Sequence, residues 1–419
     1  MINLRKKKLR NFHLYKSIKT YINFLLMIGE GFFTDKLGTF KELIFLLSFK
    51  KFSRIDILLL LDDDDYGLNF KTKKESQLID ALAKDLEIFD KKLFILRFWK
   101  SKLSIDYLKN KALSNRLLFL TQFFISIFKF KSFSKAHING WEKTINLFKP
   151  KLIISIQPDS FLCKAAKNLN IPIFDLQHGI IQINKDPYYD FLKNNLKTSQ
   201  SPTGILTIFK TTQNWLLDNN SDNFEKKYLG SPYLANSRHL RNVQKESNNQ
   251  KVILISHQWP IKQYLEEIDG RWNEAGLSEE LLKTISKISL PLKWIIRLHP
   301  LTKDNENLIS LLKEIKTNSN SSIEIIKANT TPLPEHLINA DLHITAFSAV
   351  ALEASEYGIK SAVLLESRNL NELYGSNANK LITKIQNEEK YITSWIKNEL
   401  SNNTIRKEFR LELYRKEYL

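Results

Sequence analysis

Short apolar runs alternate with stretches of helical length along most of this chain. The runs fall at 55–61, 92–98, 151–156, 171–176 and 204–209 in the first half, and at 251–256, 292–298, 322–327, 341–345 and 360–365 in the second. Their continuous apolar character is that of strands buried on both faces of a parallel sheet. Between them, 104–148, 277–288, 304–316, 333–339 and 348–357 read as helices, 156–171 contains a helix-compatible stretch, and a helix starts at 212–219. This alternation predicts an α/β fold. A polar stretch at 236–250 (NSRHLRNVQKESNNQ) interrupts it and reads as a linker. The predicted organisation is two Rossmann-like, doubly wound domains, at 55–235 and 251–385, facing a cleft. Basic amphipathic helices at 1–54 belong to the first domain. A C-terminal helical tail at 386–419 packs on a domain surface, with a return to the first domain left open.

Composition narrows the class. A chain of 419 residues exceeds one ordinary core, and 43% hydrophobic residues exclude disorder. The single cysteine, Cys163, rules out a disulfide framework within one chain and fits a reducing compartment. One cysteine and eight scattered histidines offer no zinc spacing, and the four aspartates at 62–65 read as a solvated turn, so no metal is expected. The net charge of +18 is uneven: residues 1–54 hold twelve Lys/Arg against three Asp/Glu, interleaved with Phe12, Tyr15, Tyr21, Phe24, Phe32 and Phe33. That pattern suits an anionic membrane surface, or equally the solvated face of two helices. It is not assigned to nucleic acid. The apolar stretch 117–130 falls short of the roughly 20 residues that span a bilayer and reads as a buried helix. Glu30 interrupts the early apolar run, and no small-residue cleavage site follows it. The expected location is cytoplasmic, peripheral at the inner face of the plasma membrane.

The candidate chemistry sits at the C-terminal ends of predicted strands, where open α/β sheets place ligands. His178 and Gly179 follow one strand: the glycine permits a tight turn and close backbone approach, and the histidine suits a general base. Arg297 and His299 alternate at the tip of another, on one face with Leu298 opposite, offering a guanidinium fork and an imidazole donor to phosphate. Thr345 ends a third strand, and Ser348 opens the next helix. There Ser348 serves as N-cap, as hydroxyl donor to a phosphate, or as both, and Glu353 lies within reach of a sugar hydroxyl. Ser256-His257 is a weaker version of the same arrangement, and Asp159 is a reserve candidate for the base. No Gly-x-Gly-x-x-Gly, Gly-Lys-Ser phosphate loop or Gly-x-Ser-x-Gly elbow is present, which counts against dehydrogenase, nucleotide-triphosphatase and hydrolase readings.

Taken in order, Gln177-His178-Gly179, Gly230-Ser231-Pro232, Arg297-Leu298-His299-Pro300 and the segment from Asp341 to Glu353 resemble motifs of the two-domain GT-B glycosyltransferases of bacterial capsule and lipopolysaccharide synthesis. The capsule-synthesis and CDP-glycerol glycerophosphotransferase groups are the most similar. The resemblance covers about 150–365. It departs from the family at Ser348-Ala349, where members of these groups carry two serines, and at Asp64-Asp65-Tyr66-Gly67, where an extra residue interrupts an acidic motif.

The resemblance implies a nucleotide-sugar donor, with a CMP-sugar favoured, held by Arg297, His299, Thr345, Ser348, Glu353, Ser256 and His257. It also implies His178 as the base, Gly179 and Asp159 on the acceptor side, a polysaccharide or lipid-linked acceptor, and no cofactor or metal. CDP-polyol phosphotransfer and nucleotide-sugar epimerisation share this architecture. A non-catalytic membrane-associated scaffold is the alternative of another class.

Overall fold

The computed structural model describes residues 55–61, 67–70, 73–76, 78–88, 91–97, 113–114, 125, 132–181, 201–219, 225–236, 250–257, 272, 277–299, 302, 306–319, 321–327, 330–364, 370, 374 and 381–402. The readings placed on 1–54, 62–65, linker residues 237–249 and 403–419 lie outside them. Of the stretch 117–130 only Ile125 is described; it is helical and 58% exposed.

The first sheet is built from β1 (Ile57–Leu61), β4 (Leu93–Arg97), β5 (Leu113–Ser114), β6 (Leu152–Ser155), β7 (Ile173–Leu176), β8 (Gly204–Thr207) and β9 (Glu225–Tyr228). Their order is β5-β4-β1-β6-β7-β8-β9, with every neighbouring pair parallel. The run at 55–61 is continuously apolar because each face of β1 meets its own core. Ile57 and Leu59 join the cluster holding Ile79, Leu82 and Leu86 of α1 (Ile79–Ile88). Leu58 and Leu60 join that of Trp141 and Ile145 from α2 (Phe133–Phe148), with Leu162 and Ala166 from α3 (Ser160–Asn168). Strand order reverses between β1 and β6, so the crevice of this domain opens there. Gly204 is needed where β8 lies between its neighbours: a Cβ would sit 2.5 Å from the Glu225 carbonyl oxygen and 2.6 Å from the Phe174 ring.

A second alternation follows α4 (Lys210–Asn219) and the short α5 (Pro232–Asn236). Here β10 (Lys251–Ser256), β11 (Leu292–Leu298), β12 (Ser322–Lys327), β13 (Leu342–Thr345), β14 (Lys360–Val363) and β15 (Ile382–Lys384) form a parallel sheet of order β12-β11-β10-β13-β14-β15. Its switch point lies between β10 and β13. Trp294, Ile296 and Leu298 pack on one face with α6 (Glu279–Lys287), α7 (Glu306–Asn318) and α10 (Glu389–Ser401). Ile295 and Leu254 face the other way, toward α8 (Leu333–Asn339) and α9 (Val350–Glu356). In the tail, α10 lies on this second domain: Ile392 and Ile396 are fully buried, each contributing roughly 1.5–3 kcal/mol, and Lys287 pairs with Glu389 at 2.7 Å.

The differences from expectation are local. The sequence reading assigns no helix at 79–88. It also misses β9, β15 and the antiparallel hairpin of β2 (Gly67–Phe70) and β3 (Lys73–Ser76). β9 reads Glu-Lys-Lys-Tyr, a polar edge strand without an apolar run, and β15 is only three residues long. Leu113–Ser114, inside the region read as helical, is instead a two-residue edge strand that exists through its pairing with β4. Among the described residues no helix is long and apolar enough to cross a membrane.

One apolar cluster joins the two domains. It contains Leu176, Ile208, Phe209 and Leu229 from the carboxyl edge of the first sheet, and Ala346, Phe347, Leu352 and Val363 from that of the second. The two carboxyl edges therefore meet across the cleft. A second junction forms where Tyr233 and Leu234 of α5 pack with Leu254, Ile295 and Leu333.

Candidate active site

At the first edge, β7 runs into Gln177-His178-Gly179. Gln177 is fully buried, and a buried amide must find partners for both its oxygen and its nitrogen. Its Oε1 accepts from Ile208 N (2.9 Å), while Nε2 donates to Gly179 O (2.8 Å) and approaches Thr212 Oγ1 at 3.2 Å. Its backbone N–H donates to Leu206 O at 3.0 Å. His178 is thereby carried half-buried on a turn clasped from behind. Among the described residues a Cβ on Gly179 would meet nothing within 4 Å, and its backbone is not left-handed. The glycine is thus not demanded by the turn.

Asp159 occupies a different role from the reserve base the sequence offered. It is the N-cap of α3: Oδ1 accepts from Phe161 N (2.9 Å) and Leu162 N (2.7 Å), and Oδ2 lies 3.9 Å from His137 Nε2. Before it, Gln157 adopts a left-handed φ of 44°, and its N–H donates to Asp175 Oδ1 at 2.8 Å. Asp175 carried a signal in the sequence, as a carboxylate inside an apolar strand that must find a backbone donor.

At the second edge, several predicted donor ligands are engaged inside the fold. Ser256 Oγ lies 3.0 Å from His343 Nε2, and His343 Nδ1 lies 2.9 Å from Ser361 Oγ, a buried bridge across β10, β13 and β14. Burial pushes His343 down to about 3, so its imidazole is neutral. Thr345 Oγ1 donates to Ser256 O (3.0 Å) and accepts from Ser348 N (3.3 Å). Arg297 is 6% exposed. Its Nη2 donates to Thr331 O at 3.2 Å, and its guanidinium, disfavoured by burial, is supported by Tyr233 and Glu353. Tyr233 in turn accepts from Leu333 N at 2.5 Å. Burial raises Glu353 to about 7, against the pull of Arg297. Arg297 is therefore buried on the side of the α5–α8 junction, bonded to Thr331 O and close enough to Glu353 for each to influence the other's charge, which corrects the expectation of a guanidinium fork open to phosphate. The physical reason is strand alternation: Arg297 shares its face with Ile295, and that face is covered by α5, α8 and α9.

Of the remaining predicted donor ligands, His257 lines the switch point between β10 and β13, while His299 and Ser348 follow the ends of β11 and β13. His257 Nδ1 lies 3.2 Å from Thr302 Oγ1, and Thr302 donates to His299 O. His299 is lowered to about 4 by burial, then by His257 and Arg297, so it offers a neutral N–H rather than a charge. Ser348 Oγ accepts from Val350 N at 3.2 Å, but the helix expected from 348 starts at Val350 with Ala349 at its N-cap position, so Ser348 stands one residue before the cap it was expected to be. Accepting with a lone pair leaves the hydroxyl proton to donate. Between β10 and β13 lies a small, mainly apolar pocket of about 10 Å³, lined by His257, Trp272, Leu277, Leu281, Thr345 and Leu364 among others. Tyr233, Thr302 and His343 were missed as site-shaping residues; none stands at the end of an apolar run, where the sequence reading looked.

No protein-family model and no curated protein matches the chain. Its fold is similar to UDP-GlcNAc 2-epimerase from Neisseria meningitidis bound to UDP-GlcNAc, with a TM-score of 0.54 and 14% identity, over 83% of this chain and 92% of that one. It is also similar to S. aureus MnaA solved with UDP, with a TM-score of 0.53 and 13% identity, over 84% and 89%. At this identity the likeness is one of fold, and it agrees with the two-domain GT-B-like architecture.

Proposed function

We propose that this chain is an enzyme acting on a nucleotide-activated sugar, and that it transfers the sugar to a surface-polysaccharide or lipid-linked acceptor. One observation carries the reading: an imidazole, His178, stands at the carboxyl edge of one sheet, and that edge meets the carboxyl edge of the other, where the strand order reverses. In this reading the acceptor hydroxyl oxygen bonds to the anomeric carbon as the bond to the donor phosphate breaks, and His178 takes the hydroxyl proton. The departing phosphate gains charge. Ser348, His257 and the neutral imidazole of His299 supply donors aimed at that charge, while Arg297 acts from behind by fixing the strand tip. The basic segment 1–54 would hold the enzyme near an anionic membrane surface.

Epimerisation of a nucleotide sugar is the second reading, favoured by the Neisseria meningitidis structure, an epimerase holding UDP-GlcNAc. UDP is therefore tested beside the CMP expected from the sequence and beside CDP and GDP. Ligand at about 100 times its dissociation constant adds roughly 2.7 kcal/mol to stability. A thermal shift with one nucleotide, reduced in His299→Ala, supports the cleft assignment and names the donor class; no shift with any of them sinks both enzyme readings. Nucleotide released only on addition of acceptor indicates transfer. Interconversion of the sugar without acceptor indicates epimerisation.

A further inference from the structure

We infer that Gln177 is a positioning residue that sets where His178 stands in the cleft; the inference rests on the proposed role of His178. Three features carry it. Gln177 has no exposed surface, so it does not meet a ligand itself. Its side-chain amide reaches three separate segments: the turn through Gly179 O, the end of β8 through Ile208 N, and α4 through Thr212 Oγ1. The amide orientation is also fixed, because a backbone N–H can only donate and a carbonyl can only accept.

The clasp is itself anchored. Gln213, the next residue of α4, accepts from Thr207 Oγ1 at 2.7 Å and donates to Lys226 O at 2.9 Å. The first turn of α4 thus ties β8, β9 and the His178 turn into one frame. Of these bonds, only that from Gln177 Nε2 to Gly179 O closes the turn on the far side of His178. Glutamate cannot replace it at neutral pH, since one carboxylate oxygen would face the Gly179 carbonyl.

The test uses the full chain and needs no substrate. Amide hydrogen exchange over 177–181 and the NMR titration of the His178 ring are compared in native protein, Gln177→Met and Thr212→Val. The expected result for Gln177→Met is exchange faster by about tenfold in this segment and a moved His178 midpoint, with the α10 amides unchanged. Thr212→Val, which removes one partner only, produces the same local changes at smaller amplitude, and decides the matter if the methionine variant does not fold. Unaltered exchange and an unaltered His178 midpoint in the folded variants overturn the inference. Failure of His178 as a base is read separately: His178→Ala would then leave turnover intact, whatever the exchange data say of the clasp.

Discussion

The carboxyl edges of the two sheets use polar side chains in different ways. At the first, Asp159 and Gln177 bind backbone groups of their own turns and Asp175 an amide in the turn after the neighbouring strand, and so they shape the loops at this edge. At the second, His343 bridges Ser256 and Ser361 across strands, and Arg297 is held by the Thr331 carbonyl just before α8 and by Tyr233. Polar groups that bind loop backbone hold a side chain such as His178 out for use. Polar groups that bind each other are consumed by the sheet. A polar residue at a strand end is thus a ligand candidate only when the face it shares is left uncovered.

Substitutions separate the two edges. The largest effect is expected at the first: His178→Ala lowers turnover by roughly 10²–10⁴-fold while nucleotide binding persists, as read by nucleotide release and thermal shift. Equal loss of both would make the first edge structural like the second. Next, His343→Leu strands two buried serine hydroxyls and costs about 2–4 kcal/mol in denaturant unfolding, without changing the nucleotide affinity of the folded protein. The same edge predicts acid sensitivity. His343, His299 and His336 are held neutral in the fold, with pKa values near 3, 4 and 4. The unfolded chain binds protons at these sites below about 6.5, so stability is full above that pH and is lost as pH falls toward 4. Glu353, raised to about 7, works in the opposite sense, stabilising at low pH and losing that contribution as pH rises through 7. Three imidazoles against one carboxyl leave a net loss on the order of 1–3 kcal/mol between pH 6.5 and 5, and His343→Leu flattens that slope. Tyr233→Phe removes the acceptor for Leu333 N–H and costs about 1 kcal/mol by the same unfolding measurement. Lys287→Met, which breaks only an exposed pair, changes stability by less than about 0.5 kcal/mol.

How much was legible follows from the same contrast. Strands 251–256 and 292–298 stand where their apolar runs place them, because both of their faces are covered by core; 322–327, at the sheet edge, is placed by Ile323 and Ile326, its buried residues. Face alternation was also readable: Trp294, Ile296 and Leu298 fall on one face of β11, and Ile295 on the other. What covers that side was not readable: Tyr233 arrives from α5, about sixty residues earlier in the chain, and no local pattern announces it. His343 was hidden for a related reason. A histidine inside an apolar strand shows its hydroxyl partners only once β10 and β14 are set beside it. The Gln177 amide lay inside a recognised motif, but its purpose depends on Ile208 and Thr212, which only the fold brings near.

The apolar cluster shared by the two domains also limits how the chain can be divided. A cut through the linker would leave Phe209 and Leu229 bare on one fragment and Phe347 and Leu352 bare on the other. Each half would expose a face built to fit the other, so fragments expressed separately should precipitate, and fragments produced together should recover solubility as a pair. The two Rossmann-like units are repeated in topology yet dependent in folding, each serving as part of the other's interior.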